Sequence, residues 1–186
     1  MPTPLLDRAL EEWTALLPRL RELEPVLQRL GALMMQTWNH DGRVLICGNG
    51  GSACDAMHFA EELCVRFEKN RRAVSAMALL DPGVLTCCGN DLGFERIFAR
   101  QVEAHGRAGD VLIVLTTSGN SANLLTAVET AKERKLSTVA FLGKGGGKLK
   151  GQCDIELLIP SDNTARIQEA HKLLFHELCR WVEGQL

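Results

Sequence analysis

Apolar positions along the chain fall into two regimes that change at Arg43. Before it, Leu6, Leu10, Trp13, Leu16 and Leu17 recur at helical spacing, as do Leu27, Leu30, Leu33 and Met34. Residues 4 to about 38 therefore read as helix, interrupted near Pro18 and Pro25 because proline lacks the N–H a helix interior needs. After Arg43 come five short apolar runs, at residues 44–47, 74–79, 111–115, 138–142 and 155–159. Longer segments with helical periodicity lie between and after them, most clearly 53–66, 94–104, 124–134 and 167–182. Near-continuous apolar strands alternating with helices belong to a parallel sheet covered on both faces. The pattern predicts a doubly wound α/β domain of five strands over residues 41–186, with an N-terminal helical arm over residues 1–40. The arm must bury its apolar stripe, and a subunit interface is the expected place.

In such sheets ligands bind beyond the carboxyl ends of the strands, which directs attention to the residues just after each run. The first run ends in C-G-N-G-G-S-A, residues 47–53. Gly48, Gly50 and Gly51 permit tight turns, Asn49 and Ser52 bring polar side chains, and Ser52 stands where a helix should begin. Orphan N–H groups and the positive end of a helix dipole favour an anion there, most simply a phosphate. The third run ends in T-T-S-G-N-S, where Thr116, Thr117, Ser118 and Ser121 supply four hydroxyls before another helix. Two such loops in one sheet make a phosphate cradle. The loop pattern is neither a P-loop nor a G-x-G-x-x-G fingerprint, and residues 67–70 match a ribose-binding acid poorly. Gly89, Asn90 and Asp91 form a third, shorter polar strand-end candidate.

Composition narrows the classes. The chain has 186 residues, 46% hydrophobic and 24% charged, with a net charge of −2, as expected of one globular domain. No block of like charge points to nucleic acid or a membrane surface. Seven cysteines, an odd number with no C-x-x-C pair, argue against a disulfide framework and a thiolate zinc site. With no signal peptide or transmembrane-length apolar run, the expected location is the cytoplasm.

Acid–base candidates lie on two predicted helices. His58 and Glu62 are one turn apart on one face and could share a metal ion or a proton, although Glu61 is also within reach of His58. The last helix carries Gln168, Glu169, His171 and His176. Gln168 and His176 are separated by about 12 Å along a straight helix at the usual rise. Either the helix starts after Gln168, or the two serve different copies of the site across an interface.

The runs G-N-G-G-S-A-C-D-A-M-H-F-A-E-E-L (48–63), G-N-D-x-G-F (89–94), T-S-G-N-S-A-N (117–123) and R-I-Q-E-A-H (166–171) closely resemble the phosphoheptose isomerase family of the sugar-isomerase (SIS) fold. The order and spacing of the blocks match, covering essentially everything after Gly42. The resemblance implies a flavodoxin-like three-layer sandwich and the conversion of sedoheptulose 7-phosphate to D-glycero-D-manno-heptose 7-phosphate, the first step toward activated heptose for the lipopolysaccharide core. It implies a homotetramer with sites between subunits and one zinc per site, held by His58, Glu62, Gln168 and His176. Glu62 and His176 become the implied catalytic pair, which selects Glu62 over Glu61. Phosphate contacts fall on Ser52, Thr116, Ser118 and Ser121, and other substrate contacts on Asn49, Gly50, Gly51, Asn90, Asp91, Thr117 and Gln168. The family commonly has serine where Thr116 stands; threonine keeps the hydroxyl and adds a methyl. A related SIS protein that binds the bacterial replication initiator offers a non-catalytic alternative. That relative lacks the counterparts of Glu62 and His176, both present here.

Overall fold

The computed structural model describes residues 4–186. Helices α1 (Asp7–Leu20) and α2 (Glu24–Asn39) form the arm, with a 3₁₀ turn at Arg21–Leu23 between them. The rest alternates as β1 (Val44–Gly48), α3 (Gly51–Cys64), β2 (Ala76–Ala78), α4 (Pro82–Asp91), α5 (Ala99–His105), β3 (Val111–Leu115), α6 (Ala122–Glu133), β4 (Ser137–Leu142), β5 (Ile155–Leu158) and α7 (Thr164–Glu183). The strands form one five-stranded sheet in the order β2-β1-β3-β4-β5, and every neighbouring pair is parallel. The expected doubly wound sheet is therefore present. No helix among the described residues is long and apolar enough to cross a membrane.

Alternation along each strand feeds two cores. Val44, Ile46, Val111, Ile113, Leu115, Val139 and Phe141 face one layer, with α1, α2, α3 and α7 packed over it. Leu45, Cys47, Leu112, Val114, Ala140 and Leu142 face the other, covered by α4, α5 and α6. Because both faces are dry, these strands read as unbroken apolar runs. Helix α3 docks through Phe59 and Leu63, both fully buried, and the Phe59 ring stacks on Phe175 of α7 at 5.0 Å and 15°. Each such side chain contributes about 1.5–3 kcal/mol through burial.

Several local expectations need correction. Gly89, Asn90 and Asp91 are not a strand-end loop; they close α4, a helix absent from the periodicity reading. Its start is nonetheless well signalled: Asp81 is the N-cap, accepting from the Val84 N–H at 2.8 Å, and Pro82 opens the first turn. Helix α1 continues through Pro18, so the break in the arm falls at residues 21–23 instead. The predicted helix over 94–104 begins as a 3₁₀ turn, with α5 proper starting at Ala99. The arm divides its stripe. Leu16, Leu20, Leu30, Met34 and Trp38 join the protein's own core, while Leu6, Leu10 and Leu17 stay exposed.

His171 shows what the core does to a polar group. It is buried on α7, its Nε2–H donates to the Leu142 carbonyl at 3.2 Å, and its Nδ1 has no partner. Burial pushes the imidazole down from 6.5 to about 4. Above pH 6.5 the ring is neutral in both folded and unfolded chains. As pH falls below that, the unfolded chain takes a proton the folded chain refuses, so stability drops until about pH 4 and then levels. Urea unfolding at pH 7 and pH 4.5 should show an acid loss of about 2–3 kcal/mol from this residue, and His171→Gln should remove that part of it.

Candidate active site

The strand register brings the two polar loops together. Gly48 at the end of β1 pairs with Leu115 at the end of β3, so residues 49–51 lie beside residues 116–121 at the point where strand order reverses. Gly50 adopts φ +56° and occupies the N-cap position of α3, one residue ahead of the helix, and Ser52 sits buried in the first turn. Gly48 must be glycine because a Cβ would stand 2.7 Å from the Ser52 carbonyl oxygen. The loops are joined by a reciprocal amide pair: Asn49 Nδ2 donates to Asn123 Oδ1 and Asn123 Nδ2 to Asn49 Oδ1, both at 2.9 Å. Asn123 lies in a motif singled out by sequence, yet nothing in its spacing announced this role.

In the second loop Thr116 Oγ1 accepts from the N–H groups of Ser118 (3.4 Å) and Gly119 (3.1 Å). Its hydroxyl proton is left to donate. Ser118 Oγ accepts from the Asn120 N–H at 3.3 Å. Ser121 takes the N-cap position of α6 without committing its hydroxyl to the helix, and Thr117 is half-buried beside it. The loop is braced from behind by the glycine-rich segment 143–149, since Leu149 N–H donates to the Gly119 carbonyl at 3.0 Å and Lys148 N–H to Asn120 Oδ1 at 3.1 Å.

The second part of the site is built by α3 and α7, which lie side by side in the same direction. Gln168 abuts Gly51, where its Nε2 would be 2.6 Å from a Cβ, and about two turns on, His176 meets His58 with ring centroids 5.1 Å apart. Phe59 and Leu63 take the inward face of α3, which leaves His58 and Glu62 on its flank. His58 Nε2 and Glu62 Oε1 are 3.0 Å apart. Ligand atoms of His58, Glu62 and His176 all lie within 4.8 Å of one another. Glu61 is exposed and outside this group. His176 Nε2 is buried without a hydrogen-bond partner, and burial, with the nearby His58 adding to it, holds its imidazole below the ordinary histidine range. A neutral ring with an orphaned nitrogen, a second imidazole and a carboxylate are a donor set that fits zinc with a coordination position open.

Gln168 does not join the other three. Helix α7 starts at Thr164, so Gln168 is helical and the option of a later start is removed. Asn90 and Asp91 are also apart: Asn90 Nδ2 donates to Asp91 Oδ1 at 2.7 Å, and no hydrogen bond among the described residues ties either to the two loops. Only Gly89 reaches the cleft of about 480 Å³ shared with Asn49 and Gly50. Sequence reasoning passed over Phe67, whose ring lies along His176 at 5.3 Å, and the Asp55–Lys172 ion pair, 3.1 Å, between the two halves of the site.

The SIS domain family matches residues 10–143. A phosphoheptose isomerase from Fusobacterium nucleatum is 50% identical over 163 residues, covering 88% of this chain and 82% of the relative. The chain belongs to the phosphoheptose isomerase family of SIS proteins. Among solved structures, phosphoheptose isomerases from Neisseria gonorrhoeae and Francisella tularensis superpose with TM-scores of 0.87 and 0.89 at 40% and 38% identity, covering 97% and 98% of this chain and all of theirs. These structural matches take in nearly all of the chain, arm included.

Proposed function

We propose that the protein isomerises sedoheptulose 7-phosphate to D-glycero-D-manno-heptose 7-phosphate through an enediol, with Glu62 and His176 as its proton-transfer groups. The observation that carries this reading is the convergence of His58, Glu62 and His176 from two helices onto one point, with His176 Nε2 left open. Ketose-to-aldose conversion removes a proton from C1 and delivers one to C2, and needs a base and an acid near both carbons. Glu62 is the base at carbon; His176 moves the proton at the C1 and C2 oxygens. Ser52, Thr116, Ser118 and Ser121 hold the phosphate, with Thr117, Asn49, Gly50 and Gly51 shaping the cradle, and that remote binding orients the reacting end. His58, Glu62 and His176 would hold zinc, which when bound polarises the substrate oxygen as a Lewis acid. Glu62 and His176 would have to free their coordinating atoms from the metal to move protons, because a coordinated lone pair cannot accept one.

Gln168 sits at the phosphate loop of its own chain, roughly 12 Å along α7 from His176. On this reading the fourth ligand comes from a second copy, and the enzyme is an oligomer, a tetramer by family resemblance, with sites between subunits. The exposed Leu6, Leu10 and Leu17 of the arm supply apolar surface for that association, which is the basis for reading residues 1–40 as the oligomerisation segment of the phosphosugar-binding domain 41–186. Asn90 and Asp91 would reach substrate only in that assembly. The step opens the supply of activated heptose for lipopolysaccharide core, a cytoplasmic route. The non-catalytic alternative loses its support because Glu62 and His176 are both present and adjacent.

Purified protein incubated with sedoheptulose 7-phosphate should yield the aldose by NMR, activity should fall at least tenfold after chelation, and added Zn²⁺ should restore it. Absence of conversion under every metal condition would sink the proposal.

A further inference from the structure

Glu183 ends α7 with its side chain 2% exposed. Its carboxylate accepts three successive backbone N–H groups, from Phe67 (2.7 Å), Glu68 (2.9 Å) and Lys69 (2.9 Å). The same carboxylate lies 3.6 Å from Nε of Arg71, itself 5% exposed. Arg71 in turn donates from Nη2 to the Glu62 carbonyl at 2.6 Å and from Nη1 to the Leu63 carbonyl at 2.7 Å. Those are carbonyls the end of α3 leaves open, at the negative end of its dipole. Phe67, one of the three donors, lays its ring along His176 at an interplanar angle of 27°.

Taking two charges out of water is costly, and well-packed apolar residues in place of a buried pair are often neutral or stabilising. Stability therefore gives no reason to prefer this pair over apolar filling. Its distinguishing output is position. From one end it grips the peptide of Glu62; from the other it fixes the turn that presses Phe67 on His176. Both proton-transfer residues are held by one buried ion pair that reaches neither of their functional atoms.

We propose that Arg71 and Glu183 are positioning residues that set the separation of the Glu62 carboxylate and the His176 ring, and through it metal affinity and turnover. The inference rests on reading His58, Glu62 and His176 as a metal-binding proton-transfer site. Groups that orient ligands without touching the metal change its affinity by about 10–100-fold.

The experiment measures Zn²⁺ affinity of the full-length protein by competition with a chromophoric chelator, together with thermal midpoint, kcat and KM. Glu183→Gln keeps the side chain's shape but turns an NH₂ group toward N–H donors. Phe67→Leu leaves the ion pair intact and removes the ring from His176. Val182→Ala, adjacent but wholly in the core, controls for lost stability. Both test variants should bind Zn²⁺ about 10–100-fold more weakly and lose kcat, with KM within about threefold because the phosphate loops are untouched. Val182→Ala should lower the midpoint and leave Zn²⁺ affinity unchanged. Wild-type Zn²⁺ affinity in the folded variants overturns the proposal, as does an equal loss of affinity in Val182→Ala. If Glu183→Gln fails to fold, Arg71→Lys, which keeps the charge but cannot reach the Glu62 and Leu63 carbonyls with one planar fork, takes its place. The same loss of Zn²⁺ affinity is expected of it, and wild-type affinity in it overturns the proposal. A wild type that binds Zn²⁺ with the expected ranking of variants but isomerises nothing defeats the functional reading and leaves the positioning role standing; a wild type that binds no Zn²⁺ overturns the positioning role.

Discussion

Glu62→Gln and His176→Ala should each lower kcat by about 10²–10⁴-fold, the range for removing a positioned acid or base, while the protein keeps its fold. Glutamine matches the shape of Glu62 and can still meet His58 Nε2, now 3.0 Å from the carboxylate, so packing on the flank of α3 is preserved. His176 is half-buried against His58, Phe67 and Phe175, and its truncation should cost about 1–2 kcal/mol. A turnover assay and a circular-dichroism melt separate the two effects. The double variant should be scarcely slower than the worse single variant, because groups acting as a unit are not additive. Near-wild-type turnover in either folded variant removes that residue from the mechanism.

The second large effect is expected at Gly119→Ala. Gly119 has φ +66°, and a Cβ there would stand 1.8 Å from the Gly146 carbonyl oxygen and 2.5 Å from its carbon. Those are backbone atoms of a segment that also braces the loop through Leu149, so neither side can yield without disturbing the other. The left-handed conformation adds about 1–2 kcal/mol for a residue with a Cβ, and overpacking about 1–3 kcal/mol. A loss of about 2–5 kcal/mol in urea unfolding is expected from these two costs together, with a raised KM in whatever folds because the phosphate hydroxyls shift. Gly109→Ala is the comparison. It has φ +92° but nothing within 4 Å, so it should show the conformational cost alone and an unchanged KM. Equal losses at the two positions would refute the steric account.

These two sites differ in how visible they are beforehand. The glycines and hydroxyls of residues 116–121 stand out as a polar interruption between apolar runs, and the structure places them beside residues 48–52 as strand-end logic requires. That Gly119 is pinned by Gly146 had no local signal, because the contact joins segments far apart in the chain. At the acid–base cluster the spacing of His58 and Glu62 was legible; spacing alone left Glu61 and Glu62 open, and the family resemblance selected Glu62. Phe59 and Leu63 decide it by docking on the sheet, which turns Glu62 toward α7 and leaves Glu61 exposed. Helix α4 escaped the periodicity reading because only Cys88 is buried along it, so its apolar pattern is weak, although its Asp81 cap and Pro82 were there to be read.

By itself the sequence determined the parallel five-stranded sheet, the two polar strand-end loops and the family, because side-chain periodicity and motif order are carried along the chain. It also showed that Gln168 and His176 sit too far apart on one straight helix to meet. Only the tertiary structure decided that His176 rather than Gln168 lies against His58 and Glu62, that Asn123 ties the two loops, and that Arg71 pairs with Glu183 beneath the end of α3. The reason is physical: these depend on the direction and offset with which α7 packs on α3, a relation between surfaces that no local stretch of residues encodes.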